Sequence, residues 1–322
     1  MSKIQKALQK LRDSNEAATA GGKSSGSTSA GNGGSETARS DAGRQHAVRV
    51  RTRYLHEGGA VDEELPNFSI KVVPATLHEQ GLRPREEDID TIADQFRRIK
   101  RPILSTAFGV GIPDSDNANV IMVASALPKT GKSFCSFNLA TSIAIERDVG
   151  AVLVDADVLK PNISRAFGLH DRIGLIDYLL DPSVSIDDVL VMTDQHGIIV
   201  IPSGQQHQEA TELLASRRMQ QFVEALSRRF EARAIIVDTP PLLMTNEAHV
   251  LAEHMGQIIL VIEAGVSPQE SVRQALNSLN RSKPINAILN KARNISFGDY
   301  DGSGYGYHSV SGRGRKYAND ND

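Results

Sequence analysis

Residues 124–133 read Ala124-Ser125-Ala126-Leu127-Pro128-Lys129-Thr130-Gly131-Lys132-Ser133, directly after an apolar run at 119–125 and directly before a helical pattern at 132–147. This is the arrangement of a phosphate loop. Such a loop points backbone N–H groups inward around a polyphosphate, needs a glycine where a side chain would block the approach, and uses a lysine to reach the outer oxygens. Gly131 and Lys132 supply the last two, and the Ser133 hydroxyl is placed to bind magnesium. The first glycine of the usual pattern is replaced by Ala126.

Working outward, the same alternation repeats. Short apolar runs at 151–155, 198–202, 234–238, 257–263 and 285–289 are separated by helical segments at 208–230, 245–255 and 267–282. This predicts an α/β fold, a wound and mostly parallel sheet with helices on both faces. Two of the runs end in carboxylates: Val152-Leu153-Val154-Asp155-Ala156-Asp157 and Ile235-Ile236-Val237-Asp238-Thr239-Pro240-Pro241. At the C-terminal edge of a parallel sheet beside a phosphate loop, such groups hold a divalent cation and its waters. An aspartate after a strand also caps a following helix, the competing structural role.

Composition sets the limits. Of 322 residues, 40% are apolar and the formal net charge is -3, which gives no reason to expect a nucleic-acid partner, although Arg44, Arg49, Arg51 and Arg53 make one stretch locally basic. The single Cys135 cannot form an internal disulfide, no secretory pattern opens the chain, and no run of about 18 apolar residues suits a bilayer. A cytoplasmic protein, reaching the membrane only through a partner, is expected. Residues 1–65 are read as an amphipathic start (Ile4, Leu8, Leu11) followed by a disordered linker from Asn15 to about Gly59. Residues 66–115 form a connecting segment, with an extended stretch at 66–82 and a helix at 87–101 that Pro102 stops. The catalytic domain is expected at 116–292 and a flexible tail at 293–322. Tyr300, Tyr305, Tyr307 and Tyr317, four of the six tyrosines, lie in that tail among Gly, Ser and Asp.

The phosphate loop, the Val-Asp-Ala-Asp strand and the Val-Asp-Thr-Pro-Pro strand together resemble the bacterial tyrosine autokinases, P-loop ATPases that partner polysaccharide chain-length regulators. The similarity continues through Asp157-Val158-Leu159-Lys160-Pro161-Asn162 and Glu212-Leu213-Leu214-Ala215-Ser216, covering about residues 90–292. Gln95 to Pro102 and the Met-Ser-Lys-Ile opening are similar to the branch encoded with exosortase and exopolysaccharide systems. Related partitioning ATPases carry a lysine where this chain has Leu127.

What the resemblance implies is specific. ATP and Mg2+ would be the cofactors, with Pro128, Lys129, Thr130, Gly131, Lys132, Ser133 and Phe134 around the nucleotide and Asn290 at the adenine, where a turn-forming asparagine is the alternative. Lys132, Asp155 and Asp157 would be catalytic, Asp155 as the base for a tyrosine hydroxyl. Ser133, Asp155 and Asp238 would serve the metal, and the sequence does not divide these roles among the three aspartates. Asp94, Arg97 and Lys100, spaced by three on one helical face, would contact a neighbouring subunit in a homo-oligomer, a solvated salt-bridged face being the alternative. The tail tyrosines would accept phosphate and a tyrosine phosphatase would remove it, regulating polysaccharide synthesis at the inner face of the membrane. No eukaryotic kinase loop set is present, and the scattered histidines give no zinc spacing.

Overall fold

The structure, a computed structural model, describes residues 51–56, 59–64, 66, 68–109 and 117–292. The amphipathic start, most of the linker and the whole tyrosine-bearing tail lie outside the described residues.

An antiparallel pair comes first, β1 (Arg51–His56) and β2 (Gly59–Glu64), whose register sets Arg51 opposite Glu64 and Arg53 opposite Asp62. These two strands lie within the span read from sequence as linker. Next come β3 (Ser69–Ile70) and helix α1 (Pro74–Glu79), where an extended stretch was expected. Pro74 opens that helix with its φ already suited to the first turn, and Leu77 is driven inward.

Helix α2 (Ile89–Phe108) runs through Pro102 rather than stopping there. A proline inside a helix costs about 3 kcal/mol. The cost is offset because Ile103 is buried and Leu104 and Phe108 pack on the same core, burial that ending the helix at 101 would forfeit.

The remaining elements are β4 (Val120–Ser125), α3 (Lys132–Ala144), β5 (Gly150–Asp155), α4 (Asn162–Ala166), α5 (Leu175–Leu180), α6 (Ile186–Val189), β6 (Val191–Thr193), β7 (Ile199–Ile201), α7 (Ala210–Leu214), α8 (Arg217–Arg229), β8 (Arg233–Asp238), α9 (Glu247–His254), β9 (Gln257–Glu263), α10 (Gln269–Asn277) and β10 (Ile285–Asn290). The helix expected over 208–230 is two helices, because Ser216 is extended and its hydroxyl accepts the N–H of Met219 as a cap. The one expected over 267–282 ends at Asn277. Past it, the Asn280 side-chain oxygen accepts from the backbone N–H and hydroxyl of Ser282, which closes a turn instead.

The main sheet has the order β10-β9-β4-β8-β5-β7-β6-β3 and is parallel except between β6 and β7. Alternate residues face opposite layers, as strand geometry requires. Val120, Met122 and Ala124 join a core with α8 and α9, while Ile121 and Val123 join another with α2 and α3. The sheet is thus covered on both faces, as the continuous apolar runs predict. Among the described residues, no helix is long and apolar enough to cross a membrane.

Candidate functional site

Strand β4 delivers the chain to the loop at the sheet's C-terminal edge. The Ser125 hydroxyl donates to the Leu127 carbonyl at 2.6 Å and turns the chain there. Ala126 is buried in the core and is not among the residues with positive φ, so this position has no need of glycine. Gly131, by contrast, sits at φ +92°, and a Cβ there would lie 2.2 Å from the Asn290 amide nitrogen. Both the backbone and the space demand glycine. Behind the loop, the N–H groups of Leu242 and Leu243 donate to the Ser125 and Ala126 carbonyls at 2.8 and 3.2 Å, so the chain just after Thr239-Pro240-Pro241 supports it.

The carboxylates meet where the strand order puts them. Asp155 and Asp238 are directly opposed in the β5 and β8 register, and both are fully buried. Asp238 accepts from Ser133 Oγ at 2.6 Å and from Ser136 Oγ at 3.0 Å. Burial pushes its pKa up to about 6, against the pull of the Lys132 ammonium. Asp155 Oδ2 accepts the Ser164 N–H and hydroxyl, both at 2.7 Å. Burial and then the Asp238 charge raise its pKa to about 8. Asp157 is raised as well, by burial, with Lys132 opposing. Lys132 is itself buried, and its charge acts on both Asp157 and Asp238.

Two polar atoms test what would complete this site. Asp155 Oδ1 and Thr130 Oγ1 are buried without a hydrogen-bond partner, which is costly for any group left so. An oxygen orphaned beside a second buried carboxylate suits a divalent cation, and a hydroxyl orphaned in a glycine-bearing loop suits a phosphate. Among the described residues no group of three or more His, Cys, Asp or Glu could hold a metal by itself. Magnesium does not require one, since it is commonly held by one or two carboxylates together with phosphate oxygens and water. The residues present fit Mg-ATP.

Several expected residues fall elsewhere. Lys100 is buried, donates to the Ser142 carbonyl and pairs with Glu146 at 2.6 Å, so it is not a free subunit contact. Steps of three residues turn a helix roughly 60° short of a full circle each time, which carries Lys100 off the face of Asp94 and Arg97 and onto the core. Those two remain exposed and paired with each other. Phe134 packs its ring edge-on to Phe96, centroids 6.3 Å apart. Asn290 ends β10 rather than forming a turn, and its amide donates to the Thr130 carbonyl at 2.8 Å. The four tail tyrosines lie outside the described residues.

Sequence reasoning missed Ser136, Ser164 and Lys291. Ser136 was findable, because it follows Ser133 by three and Lys132 by four and so shares their helical face. Ser164 and Lys291 carry no local signal. Cys135 is buried, its thiol pushed up to about 12 by burial and the nearby Asp238 charge, and it is a packing residue.

A buried lysine at the head of a helix, facing aspartates from two neighbouring parallel strands, defines a P-loop nucleotide-binding domain. No family model matches the chain. It is 30% identical over 182 residues to the tyrosine-protein kinase YwqD of Bacillus subtilis (strain 168), covering 56% of this chain and 75% of that one. The chain belongs to the bacterial tyrosine-protein kinase family. It is also 30% identical over 221 residues to the succinoglycan biosynthesis transport protein ExoP of Rhizobium meliloti (strain 1021), covering 66% of this chain and 27% of ExoP. Against other relatives it spans only a quarter to a third of their length, 26% to 33%. The solved kinase domain of the Escherichia coli tyrosine kinase ETK shares the fold, with a TM-score of 0.55, 24% identity, and coverage of 74% of this chain and 94% of that one.

Proposed function

We propose that this chain is an ATP-dependent protein tyrosine kinase that phosphorylates its own C-terminal tyrosines, between subunits of a homo-oligomer. The observation that carries the reading is the convergence of Lys132, Asp155, Asp157 and Asp238 at one sheet edge, with Ser133 already on Asp238.

Bound ATP and magnesium would supply the phosphoryl group and the charge that neutralises it. Ser133, Asp155 and Asp238 would hold the metal, and residues 128–134 would line the phosphates. The chain's own contribution is positioning and charge, which dominate in phosphoryl transfer. Lys132 holds a fixed cation where negative charge accumulates. A tyrosine hydroxyl, with a pKa near 10, is mostly protonated at neutral pH and needs an acceptor for its proton. Asp155 would take that role in its ionised form, while Asp157 would stand close enough to Lys132 to feel its charge.

A relative whose printed name concerns succinoglycan biosynthesis transport supports a place in polysaccharide synthesis; a membrane chain-length regulator would be the partner and a tyrosine phosphatase the antagonist. The chain would then work in the cytoplasm at the inner face of the membrane. Subunit contact would use Asp94 and Arg97, without Lys100.

Incubation with γ-labelled ATP tests the proposal. Label on the wild-type chain but not on a variant with Tyr300, Tyr305, Tyr307 and Tyr317 all changed to Phe supports it. Release of free phosphate with no label on protein would instead make this an ATPase switch.

A further inference from the structure

We infer that Asn290 and Lys291, where β10 ends, are positioning residues for the phosphate loop: each holds one loop carbonyl outward and so turns an N–H into the phosphate cradle. The inference rests on the phosphate-loop reading above. Asn290 Nδ2 donates to the Thr130 carbonyl at 2.8 Å, and Lys291 Nζ donates to the Lys129 carbonyl, also at 2.8 Å. A trans peptide is planar, with its N–H opposed to its C=O. Fixing the carbonyls of Lys129 and Thr130 on the β10 side therefore sends the N–H groups of Thr130 and Gly131 the other way. A loop that binds polyphosphate through backbone N–H groups needs that orientation set beforehand.

Three further observations agree. Lys129 and Lys291 both adopt left-handed backbone, at φ +66° and +56°, which residues other than glycine rarely do. Such conformations persist where surrounding contacts hold them, and here the two strained residues are joined by one hydrogen bond. Glu263, at the end of β9, pairs with Lys291 at 3.1 Å and aims its ammonium, while the Ala264 N–H fixes the Asn290 carbonyl at 2.9 Å. The Asn290 amide also lies so close to Gly131 that no side chain fits between them. One N–H of the Asn290 amide is thereby committed to the loop rather than to a base.

The test is calorimetry on the full chain with magnesium, using inorganic tripolyphosphate, ATP and ITP as probes. Asn290→Ala and Lys291→Met are each expected to weaken tripolyphosphate and ATP alike, by about five- to tenfold for a lost hydrogen bond of this kind. The preference for ATP over ITP should not change, and Lys291→Arg, which keeps a donor, should recover most of the affinity. Circular dichroism and the melting midpoint of the nucleotide-free variants separate a loosened loop from a lost fold, and Lys291 is exposed enough for its variants to fold. If Asn290→Ala left tripolyphosphate binding intact and erased only the ATP preference, Asn290 would be a base reader and the inference would be overturned. A wild-type chain binding neither tripolyphosphate nor ATP would remove the phosphate-loop reading, and this inference with it.

Discussion

Ser133 Oγ lies 2.6 Å from Asp238 Oδ2, joining two residues 105 positions apart in sequence. Ser136, one turn further along the same helix, donates to the other oxygen of that carboxylate at 3.0 Å. The first turn of α3 is therefore tied to the end of β8 by two hydroxyls on one face. This tie places the helix that carries Lys132 against the carboxylates that its charge offsets.

Lys132→Ala should abolish tail labelling, a loss of at least about a hundredfold, since electrostatic assistance of this kind is worth roughly 3 kcal/mol or more. Autoradiography of the variant beside wild type, with circular dichroism to show a retained fold, makes the check. Labelling within a few fold of wild type would remove Lys132 from the mechanism.

The ligand-free protein should lose stability as pH rises from about 4 to about 8. Asp155 binds its proton more tightly folded, at about 8, than unfolded, near the ordinary carboxylate value of about 3.9. An acid shifted upward favours the folded state at low pH and loses that advantage as pH climbs toward the folded value. Melting curves in a chelator between pH 5 and 8 should show the fall, and Asp155→Asn, which cannot ionise, should flatten it.

Gly150→Ala should destabilise the domain by about 1–3 kcal/mol, the usual range for overpacking. A Cβ at Gly150 would lie 2.7 Å from Arg233 Nη1, and that buried guanidinium also donates to the Ala151 and Gly197 carbonyls. Urea denaturation of the two proteins gives the difference. An unchanged midpoint would mean that Arg233 shifts at no cost.

Lys100→Met should cost about 1–3 kcal/mol, because it leaves the Ser142 carbonyl without this donor and Glu146 without its partner. Arg97→Ala should change stability by less than about 0.5 kcal/mol, since its pair with Asp94 is exposed. Thermal melts distinguish the two, and particle size by light scattering should respond to Arg97→Ala alone if that face joins subunits.

By itself the sequence determined the phosphate loop, the strand ends at Asp155 and Asp238, and the alternation that makes a two-sided parallel sheet. These are legible because they are local: a motif of ten residues, or an apolar period read within one element, needs no knowledge of neighbours. Tertiary structure decided the rest. The sheet order set Asp155 opposite Asp238 and brought Asn290 and Lys291 to a loop about 160 residues earlier. Helical phase, accumulating turn by turn, moved Lys100 from an expected surface face to the core, and burial of Ile103 carried α2 through a proline that local rules treat as a stop. Propensity is worth a few kcal/mol at one residue, whereas packing and register act on contacts between segments far apart in the chain, and these outweighed it wherever the two disagreed.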